Sequence, residues 1–504
     1  MNLRSRLMLA LLFAFLPCVT LPAEVTLPKV LSSHMVVERD LPLHVWGMAT
    51  PGEDVAVTFR GETRSTKAGQ LGRWSVYLSP GAAGGPFAMT VKGTPTAGDA
   101  AAQTITLDDV LVGDVWVASG QSNMEFMMKQ AATADADLPN AGNDKIRLLM
   151  VKQKAIGFPQ DDADTEGWTP STPETAKDFS AAAWYFAREI EKREHVPVGV
   201  VDSTWGGTPV EAWTRMGALG EDAVVTGLFA SWGRMTEGES NALLMEQNKQ
   251  RMIDEAKAQG KPEPVFPWTP QMESWAPGWL YNGMIAPLTP MAIRGVIWYQ
   301  GETNSKLDRA QIYSRIFSDM ILDWRRQWSV GDFPFLFVQI SNFKSTPAED
   351  WATLRQQQLK TLAVHNTAMA VTIDIGNPDN VHPTDKVDVG LRLARAARVL
   401  SYGETLEYSG PIFRQATPEG GSIRAWFDHA KGLMAKGGAP TSFEVAGADG
   451  KFAPAAAVIE GETIVVTSAA VAEPVSVRYG WANSPECNLF NGEGLPASPF
   501  TSVK

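Results

Sequence analysis

The sequence predicts a chain of mixed α/β class: a parallel sheet covered on both faces by helices, preceded by a small β-sandwich and followed by a second β-rich module. Three observations carry this prediction. Before residue 108, apolar residues alternate in short runs separated by Gly, Pro and Asp, as in a sheet with one face wet. From 108 to 402, continuous apolar runs alternate with helical patterns, as in strands buried on both faces. After about residue 402, short alternating runs return.

Taken in order, residues 1–23 read as a secretory signal. Arg4 and Arg6 precede the apolar run Leu7 to Leu16, and Leu21-Pro22-Ala23 ends on a small residue, the make-up of a cleaved leader. The run is too short to span a bilayer. The mature chain is therefore expected outside the cytoplasm, periplasmic or extracellular, with no membrane attachment. Cleavage removes Cys18 and leaves Cys487 alone, so no internal disulfide is expected. Residues 24–107 form the expected β-sandwich, with strands near 44–46, 55–59, 74–78 and 88–91 and a loop at 94–100. Residues 108–402 form the expected α/β domain. Its strands fall at 110–118, 146–151, 198–201, 294–299, 334–340 and 368–373, and its helices at 179–192, 310–327 and 354–363. Residues 216–286 interrupt the alternation as an insertion over the functional edge of the sheet. Residues 403–504 make the β-rich tail, with strands near 443–445, 464–466 and 475–479.

Composition narrows the function. The 504 residues are 44% hydrophobic and 20% charged, which suits a folded soluble chain. With 44 Lys+Arg against 56 Asp+Glu, the net charge of −12 disfavours a nucleic-acid partner. Two cysteines exclude a disulfide scaffold and a cysteine-built zinc site.

In a parallel sheet, chemistry sits at the carboxyl ends of the strands. The run ending Ala118-Ser119-Gly120-Gln121-Ser122 puts a hydroxyl there, before a helix expected over 123–129. A nucleophile that also offers its own N–H to an oxyanion fits that place; so does a helix N-cap. The Gly-x-Ser-x-Gly elbow fails, because Met124 stands fifth. Of six histidines, His34, His44 and His429 lie in the β-modules, His195 precedes a strand and His365 ends a helix. Only His382 follows a sheet strand through a Gly/Pro/Asn loop, just before Pro383, a good first helical residue. Asp379, three residues earlier, is placed to accept the imidazole Nδ1–H or to close an Asx-turn. Asp374 and Asp385 are rival orienters. Oxyanion donors come from two further strand ends: Gly206 and Gly207 by their backbone, and Gln300 and Asn304 by their side-chain amides. Either glycine also suits a tight turn.

These segments resemble the SGNH (GDSL-like) esterase superfamily in its sialate O-acetylesterase and acetylxylan-esterase branch. Gly120-Gln121-Ser122-Asn123-Met124 is similar to the nucleophile block, and Gly206-Gly207-Thr208-Pro209-Val210-Glu211-Ala212-Trp213 to the glycine block. Tyr299-Gln300-Gly301-Glu302-Thr303-Asn304 is similar to the third block, and Asp379-Asn380-Val381-His382-Pro383 to the Asp-x-x-His block. Two further segments, 280–285 and 488–496, also match, and the blocks stand in the family's order along nearly all of the mature chain. The resemblance implies a flavodoxin-like three-layer fold and a serine esterase, without metal or organic cofactor, acting on acetylated sugars. By position it implies Ser122 as nucleophile, His382 as base and Asp379 as orienter. Ser122, Gly206 or Gly207, and an amide among Gln300–Asn304 would form the oxyanion hole. Many relatives carry Asp two residues before the His, where this chain has Asn380. A base that must be neutral predicts activity falling below about pH 6.

Three rivals stand beside this reading: an acetylxylan esterase, an exported carbohydrate-binding protein that has lost catalysis, and a glycosidase pairing Glu302 with Asp374. The 17 tryptophans suit sugar stacking as well as core packing.

Overall fold

The computed structural model describes residues 25–94, 102–237, 239–264 and 271–503, with the side chains of 235–245 left out. The expected signal 1–23, with Cys18, lies outside the described residues, and so does most of the expected loop at 94–100. The N-terminal strands are β1 (Val36–Glu38), β2 (Leu43–Met48), β3 (Asp54–Phe59), β4 (Glu62–Lys67), β5 (Arg73–Leu78) and β6 (Gly84–Thr94). β2 pairs with β5, and β3 pairs with β4 and β6, all antiparallel. Alternation sorts their residues: Trp74, Val76 and Leu78 of β5 and Val55, Val57 and Phe59 of β3 are buried, and their neighbours are more exposed.

β7 (Gln103–Gly120) joins this module to the next without a break. Its first half, paired with β6, alternates between exposed and covered positions; from Val110 onward every residue is buried. Asp109 marks the change with a left-handed backbone, φ 56°. The expected boundary at residue 107 thus falls inside one strand, at the point where its environment changes from one wet face to none.

The central sheet adds β8 (Asn143–Val151), β9 (Thr165–Ser171), β10 (Val198–Thr204), β11 (Gly295–Tyr299), β12 (Phe335–Gln339) and β13 (Thr367–Val371). Its order is β13-β12-β11-β7-β10-β8-β9. All neighbours are parallel except β9, which returns antiparallel along β8. A core lies on each face. Trp116, Ala118, Ile297, Leu336 and Val338 belong with the helices Ala181–Glu194 and Val387–Leu400. Val117, Val296, Trp298, Phe335 and Phe337 belong with the helices Tyr313–Trp328 and Trp351–Thr361. The largest tryptophans serve as packing: Trp298 meets Trp213, Trp324 and Phe317, all buried. Truncating such a ring costs about 3–5 kcal/mol.

Three local expectations are corrected. The helix expected over 123–129 is a single turn, Ser122–Glu125, because Phe126 turns extended at φ −50°, ψ 113°. The helix after His382 starts at Val387, so Pro383 lies in the loop rather than at a first helical position. β9 was not expected, since Gly167 and Pro170 break its apolar pattern; at a sheet edge both are tolerated. Within the insertion, the helix Glu239–Ala258 stands largely exposed at its described side chains, and the stretch Met272–Ile285 returns to the sheet's edge. Beyond Leu400, four-stranded antiparallel sheets at 412–467 and 443–501 make the β-rich tail. Cys487 is a free thiol. No helix among the described residues is long and apolar enough to cross a membrane.

Candidate active site

β8 and β10 lie on one side of β7 and β11, β12 and β13 on the other, so the strand order reverses at β7. A crevice forms at the carboxyl end of such a strand. Gly120 makes the exit there. A Cβ at Gly120 would lie 2.2 Å from the Tyr299 carbonyl oxygen, and φ is 137°, which side chains rarely adopt. The Gln121 N–H then donates to that carbonyl at 3.0 Å, and Ser122 opens the single helical turn, half-buried. From β10, the Trp205 N–H donates to the Gly120 carbonyl at 3.1 Å. This lays Gly206 against the serine: a Cβ at Gly206 would stand 3.2 Å from the Ser122 Cβ.

His382 reaches the same place from the loop after β13. Its Nε2 lies 2.8 Å from the Ser122 Oγ, across 260 residues of sequence. Two Asx-turns shape the loop: Asn377 Oδ1 accepts the Asp379 N–H at 2.9 Å, and Asn380 Oδ1 accepts the His382 N–H at 2.9 Å. Burial, and then the neighbouring Lys386 cation, hold the His382 pKa below the usual 6.5. The remaining histidines lie elsewhere: His34 on Asp109, His44 on the Pro290 carbonyl, His195 capping a helix, His365 by Asp332 and His429 on Glu407.

Asp379 is not brought to the imidazole. Its carboxylate bonds the Lys344 ammonium at 3.1 Å, with 79% of the side chain exposed, and no hydrogen bond joins it to His382. Asp374 is gripped by both Arg392 terminal nitrogens at 2.6 and 2.8 Å, and Asp385 accepts the Asp388 N–H at 3.1 Å. Glu302 accepts from Asn123 at 2.6 Å. In a glycosidase pair of Glu302 and Asp374, Asp374 would be held by Arg392, and Glu302 is buried with one oxygen bonded to Asn123.

The Gln300 amide is engaged elsewhere, and so is one N–H of Asn304. Gln300 Nε2 donates to Gln121 Oε1, the Thr208 carbonyl and Asn304 Oδ1 at 3.1, 3.1 and 2.7 Å. Asn304 Nδ2 donates to Glu211 Oε2 at 2.8 Å. Both side chains are fully buried and tie the glycine block to the third block. The Gly206 N–H donates to the Glu125 carboxylate, whose pKa burial raises. The Ser122 and Gly207 N–H groups have no hydrogen-bond partner among the described residues. Above them, the Trp275 indole donates to the Gly207 carbonyl at 2.7 Å, so the insertion's return does touch this edge.

Sequence reasoning missed Asn123, Lys386 and Glu125, and read Glu302 only as a glycosidase acid. Asn123 is 1% exposed and Lys386 fully buried. Their signal was adjacency: each stands within four residues of Ser122 or His382, with a polar side chain in an apolar setting. A cavity of about 930 Å³ lies instead beside β2 and Tyr281, lined by neither Ser122 nor His382. No group of three or more His, Cys, Asp or Glu able to hold a metal occurs among the described residues.

A family model for carbohydrate esterases, the sialic acid-specific acetylesterases, matches residues 269–399. The sialate O-acetylesterase of Rattus norvegicus is 29% identical over 94% of this chain and 93% of its own length. The Homo sapiens sialate O-acetylesterase is 30% identical over 73% of this chain and 69% of its own. The crystal structure of a carbohydrate acetylesterase from Xanthomonas citri is 39% identical, covers 95% of this chain and 99% of that one, and superposes with a TM-score of 0.81. The chain belongs to this carbohydrate esterase family. It is a carboxylic ester hydrolase. The family-model segment holds Gln300, Asn304 and His382, and the likeness to the rat and Xanthomonas proteins extends well beyond it.

Proposed function

We propose that the chain is an exported serine carbohydrate O-acetylesterase that removes acetyl groups from sugars through an acetyl-enzyme. The observation that carries the reading is the 2.8 Å contact between His382 Nε2 and Ser122 Oγ at the reversal point of the sheet. Ser122 Oγ attacks the acetyl carbonyl while neutral His382 takes its proton. The tetrahedral oxyanion sits against the Ser122 and Gly207 N–H groups, which have no hydrogen-bond partner among the described residues. His382 then protonates the sugar oxygen as its bond to the acetyl carbon breaks; water, deprotonated by the same imidazole, adds to the acetyl carbon, and acetate leaves as the bond to Ser122 Oγ breaks and Oγ regains its proton from His382. We infer that Asp379 becomes the orienter by exchanging Lys344 for the imidazole: Asp374 and Asp385 are tied into the fold, whereas the Asp379–Lys344 pair is exposed on both sides and holds weakly. Formation of the imidazolium gives that carboxylate a stronger partner.

The order of β10, β7, β11, β12 and β13, with the β8–β9 hairpin set aside, supports a flavodoxin-like three-layer domain of SGNH type. We assign it to 108–402, between a sandwich at 24–107 and the tail at 403–504, after a signal at 1–23. The relatives that are sialate O-acetylesterases favour O-acetylated sialic acid as substrate. Side-by-side acetate release from O-acetylsialic acid and acetylated xylan tests this. The first is the expected substrate, with release abolished in Ser122→Ala. Faster release from xylan would move the assignment to acetylxylan esterase, and release by Ser122→Ala would refute the serine mechanism.

A further inference from the structure

Behind Ser122 and His382 lies a buried polar cluster that the chemistry above leaves unused. Asn123 is 1% exposed, and its amide is fully engaged. Nδ2 donates to Glu302 Oε1 at 2.6 Å and to the Val381 carbonyl at 3.0 Å, and Oδ1 accepts from Lys386 Nζ at 2.6 Å. Asn123 directly follows Ser122, and Val381 directly precedes His382. One amide therefore joins the turn presenting the hydroxyl to the loop presenting the imidazole.

The outer partners fix which way that amide faces. A carboxylate only accepts and an ammonium only donates, so a reversed amide would set NH₂ against Lys386 and oxygen against Glu302. With the amide's plane held between them, its second N–H is aimed at Val381. Lys386 is itself caged, its Nζ 4.8 Å from the Phe126 ring centre and 5.1 Å from that of Tyr299. Buried ionisable groups of this kind are costly compared with apolar packing. Burial pushes the Lys386 ammonium down to about 7 and the Glu302 carboxyl up. A cluster that costs stability and meets at the reacting pair is best explained by geometry.

We propose that Asn123 is a positioning residue that holds His382 against Ser122, and that Glu302 and Lys386 act through it by fixing its amide. This rests on reading Ser122 and His382 as the reacting pair. The charged groups around His382 are accounted for. Lys386 faces it, Glu302 stands behind Asn123, and Glu125 bonds Gly206 on the far side of Ser122. Asp379 pairs with Lys344, Asp374 with Arg392, and Asp385 bonds its own helix.

The test follows hydrolysis of an aryl acetate, and the rate at which a fluorophosphonate labels Ser122, in wild type, Asn123→Ala, Lys386→Met and the double variant. A displacement near 1 Å lowers the rate about 100-fold, so kcat and labelling rate should fall by that order in Asn123→Ala, with KM little changed. Lys386→Met should lose about tenfold and move the acid limb of the rate profile to higher pH, since a cation beside the imidazole is gone. The double variant should be no slower than Asn123→Ala alone, because both act through one amide. Lys386→Met replaces a buried amine with an apolar chain of similar length, so it serves if Asn123→Ala does not fold. Wild-type labelling rates in variants that only melt earlier, or losses that multiply in the double variant, would overturn the inference alone. Failure of wild type to label at Ser122 would overturn the serine reading and this inference with it.

Discussion

His382 must be neutral to take a proton from Ser122, and its surroundings favour that state. Burial and the Lys386 cation both disfavour the imidazolium, so its pKa lies below 6.5. The neutral form is then populated through the neutral range and lost only as pH falls through the lowered value. The acid limb of kcat/KM for an aryl acetate should lie below pH 6.5; a limb above it would show that His382 is not so tuned. At this scale the serine and the histidine were legible in the sequence, one from the strand end before it and the other by elimination among six. The partners of Gln300 and Asn304 were not. Thr208 and Glu211 lie more than 90 residues from them, and no local pattern reports which acceptor an amide finds across such a distance. Gln300 and Asn304, read in the sequence as oxyanion donors, also act in the fold as struts that hold two motifs together.

The loop between β13 and the helix Val387–Leu400 carries His382, and its carboxylates have separate tasks. Asp374 anchors the loop's start to Arg392, in a pair with only 15% and 9% of the side chains exposed. Asp379 has only an exposed lysine to leave. Asp379→Asn should therefore lower kcat by about 10²–10⁴-fold with the fold intact. Asp374→Asn should chiefly lower the melting temperature, because it leaves a buried guanidinium short of a partner. Measuring both quantities in both variants separates the roles; little loss in Asp379→Asn with a large kcat loss in Asp374→Asn would reassign the orienter. Elements with a continuous apolar run were read correctly as strands, since burial on both faces selects such runs. β9 was invisible because an edge strand needs only one covered face and tolerates Gly167 and Pro170. The length of the helix at Ser122 was overestimated because its end is set by Phe126, whose ring packs at the sheet edge near Lys386, a tertiary contact.

Across the whole molecule, the two cores and the uninterrupted β7 make the N-terminal sheet and the central sheet one framework. The described residues contain no disulfide, and Cys487 is free, so packing carries the stability. The framework brings four separated segments, at 120–125, 205–208, 299–304 and 379–386, to one strand end. Their convergence joins local motif chemistry to the proposed covalent mechanism. The most direct test is to quench the enzyme during turnover of an aryl acetate, digest it and examine the peptide containing Ser122 by mass spectrometry. The mechanism predicts one acetyl group on Ser122, accumulating in His382→Ala if deacylation slows more than acylation and absent from Ser122→Ala. Steady turnover with no acetyl group on Ser122 at any quench time, together with activity in Ser122→Ala, would contradict it.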